Sequence, residues 1–140
     1  MINEHLEAYK KSYKLDDINE ILKVRVKEFP FELNIDAVGL WQIIKPHKAC
    51  YSSGIDFKLH IRDAIISLME NGAVPVISTN SDYEWDEINI FGKTKDEISK
   101  NIAEKWSENI EIKDSIFDYG GIWFAKPISG KKYVKLLDME

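Results

Sequence analysis

Residues 82–87 carry the densest group of side chains in this sequence that could take part in chemistry. Four carboxylates lie within six residues, interleaved with two aromatic side chains: Asp82, Tyr83, Glu84, Trp85, Asp86 and Glu87. Such a stretch could supply a pair of catalytic acids, the ligands of a metal ion, or an acidic and aromatic surface for a basic partner. A solvated turn is the simplest alternative, and the residue types leave it open.

Catalytic acids have to converge on one pocket, at a separation that the reaction fixes. In an extended segment the side chains point alternately to opposite faces, which places Asp82, Glu84 and Asp86 together on one face. The other face then carries Trp85 and Glu87. Acids that share an exposed face repel one another, and no base or histidine stands beside them in the sequence. We therefore predict no catalytic residue here and no enzyme activity.

The histidines and the single cysteine give little support for a metal site. His47 and Cys50 have two residues between them, a spacing that could bring a nitrogen and a sulfur to one ion, but a second pair of ligands is missing. His60 is an isolated member of a predicted helix. Gly120 and Gly121 precede a strand and lack the context of a phosphate-binding loop. We predict no metal ion and no cofactor.

Composition limits the class of protein. The 140 residues are 44% hydrophobic and 31% charged, which is typical of one globular domain with its own core. A single cysteine excludes an internal disulfide and fits a reducing compartment. The sequence shows no apolar run of membrane-spanning length and no secretory signal pattern. We therefore predict a cytoplasmic chain that forms a single domain over residues 1–140, with no membrane partner.

Charge is distributed unevenly along the chain, whose net charge is −5. Residues 82–118 hold 11 acids and 5 lysines, whereas residues 119–140 hold four lysines and two acids. Nucleic acids are bound by basic faces, so the acidic middle third argues against a nucleic-acid partner. An acidic face suits a basic protein, although it also serves solubility alone.

Helical periodicity dominates the sequence. Asp16 or Asp17 can cap a helix that should end near Phe29 and Pro30, because a residue that precedes proline is disfavoured in helical geometry. The strongest helical pattern stops at Asn71, which is followed by glycine. Residues 94–97, TKDE, form a capping box at the start of a further helix.

Two apolar runs predict a small sheet. The first, AVPVIST at 73–79, contains Pro75, which favours an edge position. The second, GIWFAKP at 121–127, also ends in a proline. Residues 130–137 are predicted to form a closing helical turn. The fold class is therefore α+β, a mainly helical single domain with a small antiparallel sheet.

Two alternatives to a protein-binding function stay open. Two helices followed by IWFAKPISGKKYVKLL have the order of a winged-helix, nucleic-acid-binding domain. The helix that would enter the DNA groove is not basic, however, and it holds no arginine or glutamine to read bases. The other alternative is an enzyme with an unrecognised site, lined by His47, Cys50 and His60.

Residues 55–130 resemble the immunity proteins of bacterial polymorphic-toxin and contact-dependent growth-inhibition systems. The likeness lies in DAIISLMENGAVPVIS, FGKTKDEISKNIAEKW and GIWFAKPISG, with the acidic, tryptophan-bearing turn after the first of these segments. The resemblance implies a non-enzymatic protein that binds a cognate toxin domain, often a basic nuclease, in a one-to-one complex. An acidic patch can occupy the basic substrate groove of such a toxin, and opposite charge speeds capture.

That resemblance turns the acidic stretch into a predicted toxin-binding surface, extended by two acids of the helix that follows. The predicted contacts are Asp82, Glu84, Trp85, Asp86, Glu87, Glu104 and Glu108. Trp85 is expected to be the apolar anchor, because aromatic side chains supply much of the energy of protein interfaces.

Overall fold

Helices make up most of the structure. The computed structural model describes residues 3–35, 37–50, 54–78, 84–108, 121–126, 128–129 and 132–135. Its α-helices are α1 (Glu4–Tyr13), α2 (Ile18–Glu32), α3 (Leu40–Ile44), α4 (Phe57–Glu70) and α5 (Lys95–Glu108), and a 3-10 helix follows α3 at Lys45–Cys50. Its strands are β1 (Val38–Gly39), β2 (Val74–Ser78), β3 (Glu84–Glu87), β4 (Trp123–Ala125), β5 (Ile128–Ser129) and β6 (Lys132–Lys135).

Side-chain caps begin α2 and α5, as the sequence predicts. The Asp17 carboxylate accepts the Asn19 N–H at 2.9 Å at the start of α2. Before α5, the Thr94 hydroxyl accepts the Glu97 N–H at 3.2 Å, and the Glu97 carboxylate accepts the Thr94 N–H at 3.4 Å. Both predictions are confirmed. A cap can be predicted from the sequence because the residues that form it are close neighbours along the chain.

α2 continues past Pro30 and ends at Glu32, two residues beyond the predicted end near Phe29 and Pro30. Proline has no N–H, which leaves the carbonyl of Val26 without its helical donor. The hydroxyl of Ser67 in α4 donates to that carbonyl at 3.4 Å. A neighbouring helix therefore supplies the missing donor, and the fully buried side chain of Leu33 holds the end of α2 against the core.

The six described strands form one sheet in the order β1-β4-β2-β3-β6-β5. Four of its five pairings are antiparallel, and β3 and β6 run parallel. The prediction of a mainly helical α+β fold with a small antiparallel sheet is confirmed.

Two details of the sheet differ from the sequence prediction. Pro75 lies in β2, which pairs on both sides and is not an edge strand. Proline removes only the backbone donor, and the Pro75 carbonyl still accepts the Ile88 N–H at 3.0 Å. Residues 132–135 form β6 instead of a helical turn. Their tyrosine and valine favour the extended conformation once β3 is available as a partner.

The two faces of the sheet contact different apolar clusters. Val38 of β1 and Phe124 of β4 are cross-strand partners, and both belong to the large cluster that contains the buried side chains of the helices. The largest fully buried side chains of this cluster are Phe124, Ile21, Leu33, Leu40, Ile43, Ile61, Ile65, Leu68, Ile102, Ile122 and Val38. On the opposite face, a smaller cluster contains Val76, Trp85 and Ala125. The helices therefore cover one face of the sheet at β1 and β4, whereas Ile77 of β2 and Asp86 of β3, on the same face, are exposed.

The core position of Phe124 can be tested with a matched pair of variants. Phe124→Ala should lower the free energy of unfolding by about 3–5 kcal/mol, because removal of a fully buried ring leaves a cavity. Phe31→Ala should change it by less than about 0.5 kcal/mol, because the Phe31 side chain is 73% exposed. Urea unfolding followed by circular dichroism measures both values. Equal losses in the two variants would contradict the assignment of Phe124 to the core.

Candidate functional site

The structure describes part of the predicted toxin-binding set. Asp82 and the side chains of Glu84 and Glu108 lie outside the described residues. Asp86 and Glu104 are exposed. Asp86 lies in β3, within the sheet, whereas Glu104 lies in α5, which packs mainly against α4. The predicted surface is therefore divided between the sheet layer and the helix layer.

Trp85 is buried, with 4% of its surface exposed, which corrects the expectation that it anchors a partner. Its ring lies 5.5 Å from that of Trp123, whose ring lies edge-on to Trp41 at 6.5 Å. Glu87 shares this face of the sheet, opposite Val76, and is half-buried. The charged neighbours of Trp85 in sequence pointed to an exposed position, but strand alternation turns its side chain toward the smaller cluster.

Asp86 occupies the other face of β3, and its register partner in β2 is Ile77, which is 39% exposed. The turn after β3 carries Ile90, which is 71% exposed. We call Ile77, Asp86 and Ile90 the Ile77–Asp86 surface. In β6 the register partner of Asp86 is Lys135, so a basic residue flanks the acidic strand. This surface combines exposed apolar area with a carboxylate, which is the composition of many interface cores and rims.

The outer face of α5 has mixed charge. Exposed Glu104 is accompanied by the exposed lysines Lys100 and Lys105. Near the start of the helix, Lys95 Nζ lies 3.0 Å from the carboxylate of Glu70 in α4. Lysines therefore offset the acids of this helix, and α5 contributes less negative potential than its carboxylates alone would predict.

His47 lines a groove beside α1, whereas His60 lines a different groove beside α4, and Cys50 lines neither of these two. Cys50 is buried, and burial raises the pKa of its thiol, which opposes formation of the thiolate that nucleophilic chemistry requires. His60 is also buried, in α4. Within the described ranges, we find no group of three or more histidine, cysteine, aspartate or glutamate side chains placed to hold a metal ion.

A groove of about 770 Å³ lies beside α1 and was not predicted from the sequence. We call it the α1 groove. It is lined by His5, Ala8, Tyr9, Ser12, Tyr13, Arg25, Ile44, Lys45, His47 and Trp106. These residues come from α1, α2, α3, the 3-10 helix and α5, and only the i, i+4 spacing of Tyr9 and Tyr13 on α1 was visible as a local signal.

Arg25 of α2 is the central cation of the α1 groove. Its Nη2 donates to the Gln42 carbonyl at 2.7 Å, and its Nη1 donates to the Tyr13 hydroxyl at 3.3 Å. The guanidinium carbon lies 5.5 Å from the centre of the Tyr9 ring and 5.3 Å from that of Phe29, which is cation–π distance. Arg25 Nε is buried without a hydrogen-bond partner.

An aromatic wall forms the other side of the α1 groove. The His47 ring lies 4.9 Å from the Trp106 ring, nearly perpendicular to it, and 5.4 Å from the Phe57 ring. Burial lowers the pKa of His47, so its imidazole is neutral at pH 7. A neutral imidazole has one donor and one acceptor nitrogen, so this wall is apolar with a polar edge.

Known proteins supply no family for this chain. None of the protein-family models, curated proteins or solved structures matches it. The resemblance to bacterial immunity proteins therefore stays a prediction, and function has to be inferred from the chain's own residues. Within the described part of the chain, no helix has the length and apolar character needed to cross a membrane.

His60 should make the fold sensitive to mild acid. Burial, together with the nearby Arg25 charge, lowers the pKa of His60 from 6.5 to about 4. Above pH 6.5 neither state binds the proton, and stability is complete. As the pH falls from 6.5 to 4, only the unfolded chain gains a proton, which lowers the free energy of unfolding by up to roughly 3 kcal/mol.

The matched variants are His60→Gln and His5→Gln, and the measurement is urea unfolding at a series of pH values from 7 to 4. His60→Gln should show a smaller acid-dependent decrease than the wild type, whatever its stability at pH 7, and the part that His47 contributes should stay. His5→Gln should keep the decrease of the wild type, because His5 is exposed on α1. An unchanged pH profile in His60→Gln would refute the role of this histidine.

Proposed function

We propose that this chain is a non-enzymatic immunity protein that binds a basic toxin domain through the Ile77–Asp86 surface. The observation that carries the proposal is the pairing of a partly exposed apolar side chain, Ile77, with an exposed carboxylate, Asp86, on adjacent strands. Ile90, on the turn after β3, is a second exposed apolar side chain that a partner could cover. The sequence resemblance given above supplies the class of partner.

Apolar and acidic groups have different tasks in such an interface. Ile77 and Ile90 would give up exposed area on binding, which contributes roughly 25 cal/mol per Å² of apolar surface. A rim carboxylate such as Asp86 acts mainly on the association rate, because it attracts a basic partner before contact. The concentration of acids in residues 82–118 extends that attraction beyond the contact itself.

Strand pairing on both sides fixes the backbone of this surface. Asp86 is held in register between β2 and β6, and the buried ring of Trp85 on the opposite face keeps β3 in the sheet. Trp85 therefore supports the proposed interface indirectly. A partner would contact a strand surface whose shape is set before binding, which lowers the entropic cost of association.

Asp86→Lys should weaken binding to the cognate toxin by about tenfold or more, because a like charge would replace an attractive one against a basic partner. The partner to test is the toxin domain encoded by the adjacent gene, purified in an inactive form. Isothermal titration calorimetry at low and high salt gives the affinity, and stopped-flow mixing gives the association rate. The wild-type affinity should fall as salt rises.

Asp16→Lys is the control, because Asp16 is an exposed aspartate on the loop between α1 and α2 and the charge change is the same. It should alter the affinity far less than Asp86→Lys. If both variants weaken binding equally, only net charge matters and the Ile77–Asp86 surface is not the contact. If the wild type does not bind this toxin at all, the proposal is wrong for that pair.

A further inference from the structure

We propose that the α1 groove is a binding site for a small aromatic anion, that is, a molecule with one planar ring system and one carboxylate or sulfonate group. The site is distinct from the proposed toxin-binding surface, which is formed by β2, β3 and the turn after β3. The proposal rests on the charge of the groove, its hydrogen-bond donors, its aromatic wall and its volume.

The charge of the α1 groove is opposite to that of the chain. The chain has 24 acids and 19 lysines and arginines, yet the ten residues that line this groove include Arg25 and Lys45 and no aspartate or glutamate. His5 and His47 also contribute ring nitrogens. An anion that enters the groove therefore meets cations and neutral donors, without a lining carboxylate to repel it.

Hydrogen-bond donors cluster around Arg25. A guanidinium has five N–H donors, of which two have the Gln42 carbonyl and the Tyr13 hydroxyl as acceptors. A bound carboxylate would accept from the guanidinium and from the Lys45 ammonium group. Burial raises the pKa of Tyr9, so its hydroxyl stays protonated and is a further donor at neutral pH. Charge-assisted hydrogen bonds of this kind are stronger than neutral ones.

Two glutamates on the far side of Arg25 reduce the positive potential around its guanidinium but do not cancel it. Glu28 and Glu32 line a separate, smaller cavity with Arg25. Arg25 forms no ion pair within 4.0 Å among the described residues. The guanidinium therefore lies between the α1 groove and two carboxylates that are too distant to form an ion pair with it. An anion bound in the groove at hydrogen-bond distance would interact with Arg25 more strongly than these carboxylates do.

The aromatic wall and the volume define the rest of the ligand. Trp106, His47 and Ile44 line the groove with two rings and an aliphatic side chain. A planar ring can stack on or lie edge-on to such a wall, in the geometry that His47 and Trp106 already adopt toward each other. The volume of about 770 Å³ lies within the range of about 300–1,000 Å³ that small-molecule sites occupy.

The test is a titration of the full chain with three probes, followed by the indole N–H signal of Trp106 in a proton–nitrogen NMR spectrum. Trp106→Phe identifies that signal among the four tryptophans. The probes are 2-naphthoate, its neutral analogue 2-naphthamide, and propionate. We expect 2-naphthoate to bind with a Kd of about 1 mM or tighter. The amide lacks the charge and propionate lacks the ring, so both should bind at least several-fold more weakly.

Matched variants locate the bound probe. Lys45→Met should weaken 2-naphthoate by about two- to fivefold, because Lys45 is exposed and its pairing is screened. Lys27→Met is the control, since Lys27 is an exposed lysine that lines a different groove. Arg25→Met should weaken binding by about tenfold or more. Because Arg25 also ties helices together, Lys45→Met decides the outcome if Arg25→Met does not fold.

Three results would overturn the proposal. One is the absence of any Trp106 shift with 2-naphthoate at millimolar concentration. Another is equal binding of naphthoate and naphthamide, which would show that the cations play no part. The third is equal weakening in Lys45→Met and Lys27→Met, which would show binding governed by net charge and not by this groove.

Discussion

The guanidinium of Arg25 is the interaction on which the N-terminal half of the fold depends. It donates to the Gln42 carbonyl in α3 and to the Tyr13 hydroxyl in α1, so three helices share one cation. In a part-buried space, a charge acts over a longer distance than in water. The same cation helps to lower the pKa of His60 and partly opposes the rise in the pKa of Cys50 that burial causes. The cation that joins these helices therefore also sets the electrostatics of the α1 groove and of the adjoining core.

The two proposed surfaces are built from different elements of the fold: one from strands of the sheet, the other from helices. Adjacent residues of β3 point to opposite faces of the sheet: Trp85 packs into the smaller cluster and Asp86 faces solvent. Paired strands form the Ile77–Asp86 surface, whereas the α1 groove is formed where separate helices meet. Binding at the first would depend on strand register, and binding at the second on how α1 sits against α2 and the 3-10 helix.

Local chemistry could be predicted from the sequence where the deciding residues are close together. The Asp17 cap and the capping box of residues 94–97 are such cases, and so is the mainly helical α+β class. Pro30 was misleading because the donor that completes its helix, Ser67, lies in another helix. Trp85 was misleading because its sequence neighbours are charged, while its burial depends on pairing with β2 and β6. The α1 groove was invisible for the same reason: its lining spans positions 5 to 106.

The parallel pairing of β3 with β6 also has a consequence for how the chain is made. Strands β1 to β3 precede α5 in the sequence, but β4 and β6, which pair with β2 and β3 on their outer sides, come after it. During synthesis on the ribosome, the β2–β3 hairpin therefore leaves the exit tunnel with both of its edges unpaired. Exposed strand edges are prone to wrong pairing with other chains. Charged side chains on a strand oppose such pairing, and three of the four residues of β3 are acids: Glu84, Asp86 and Glu87.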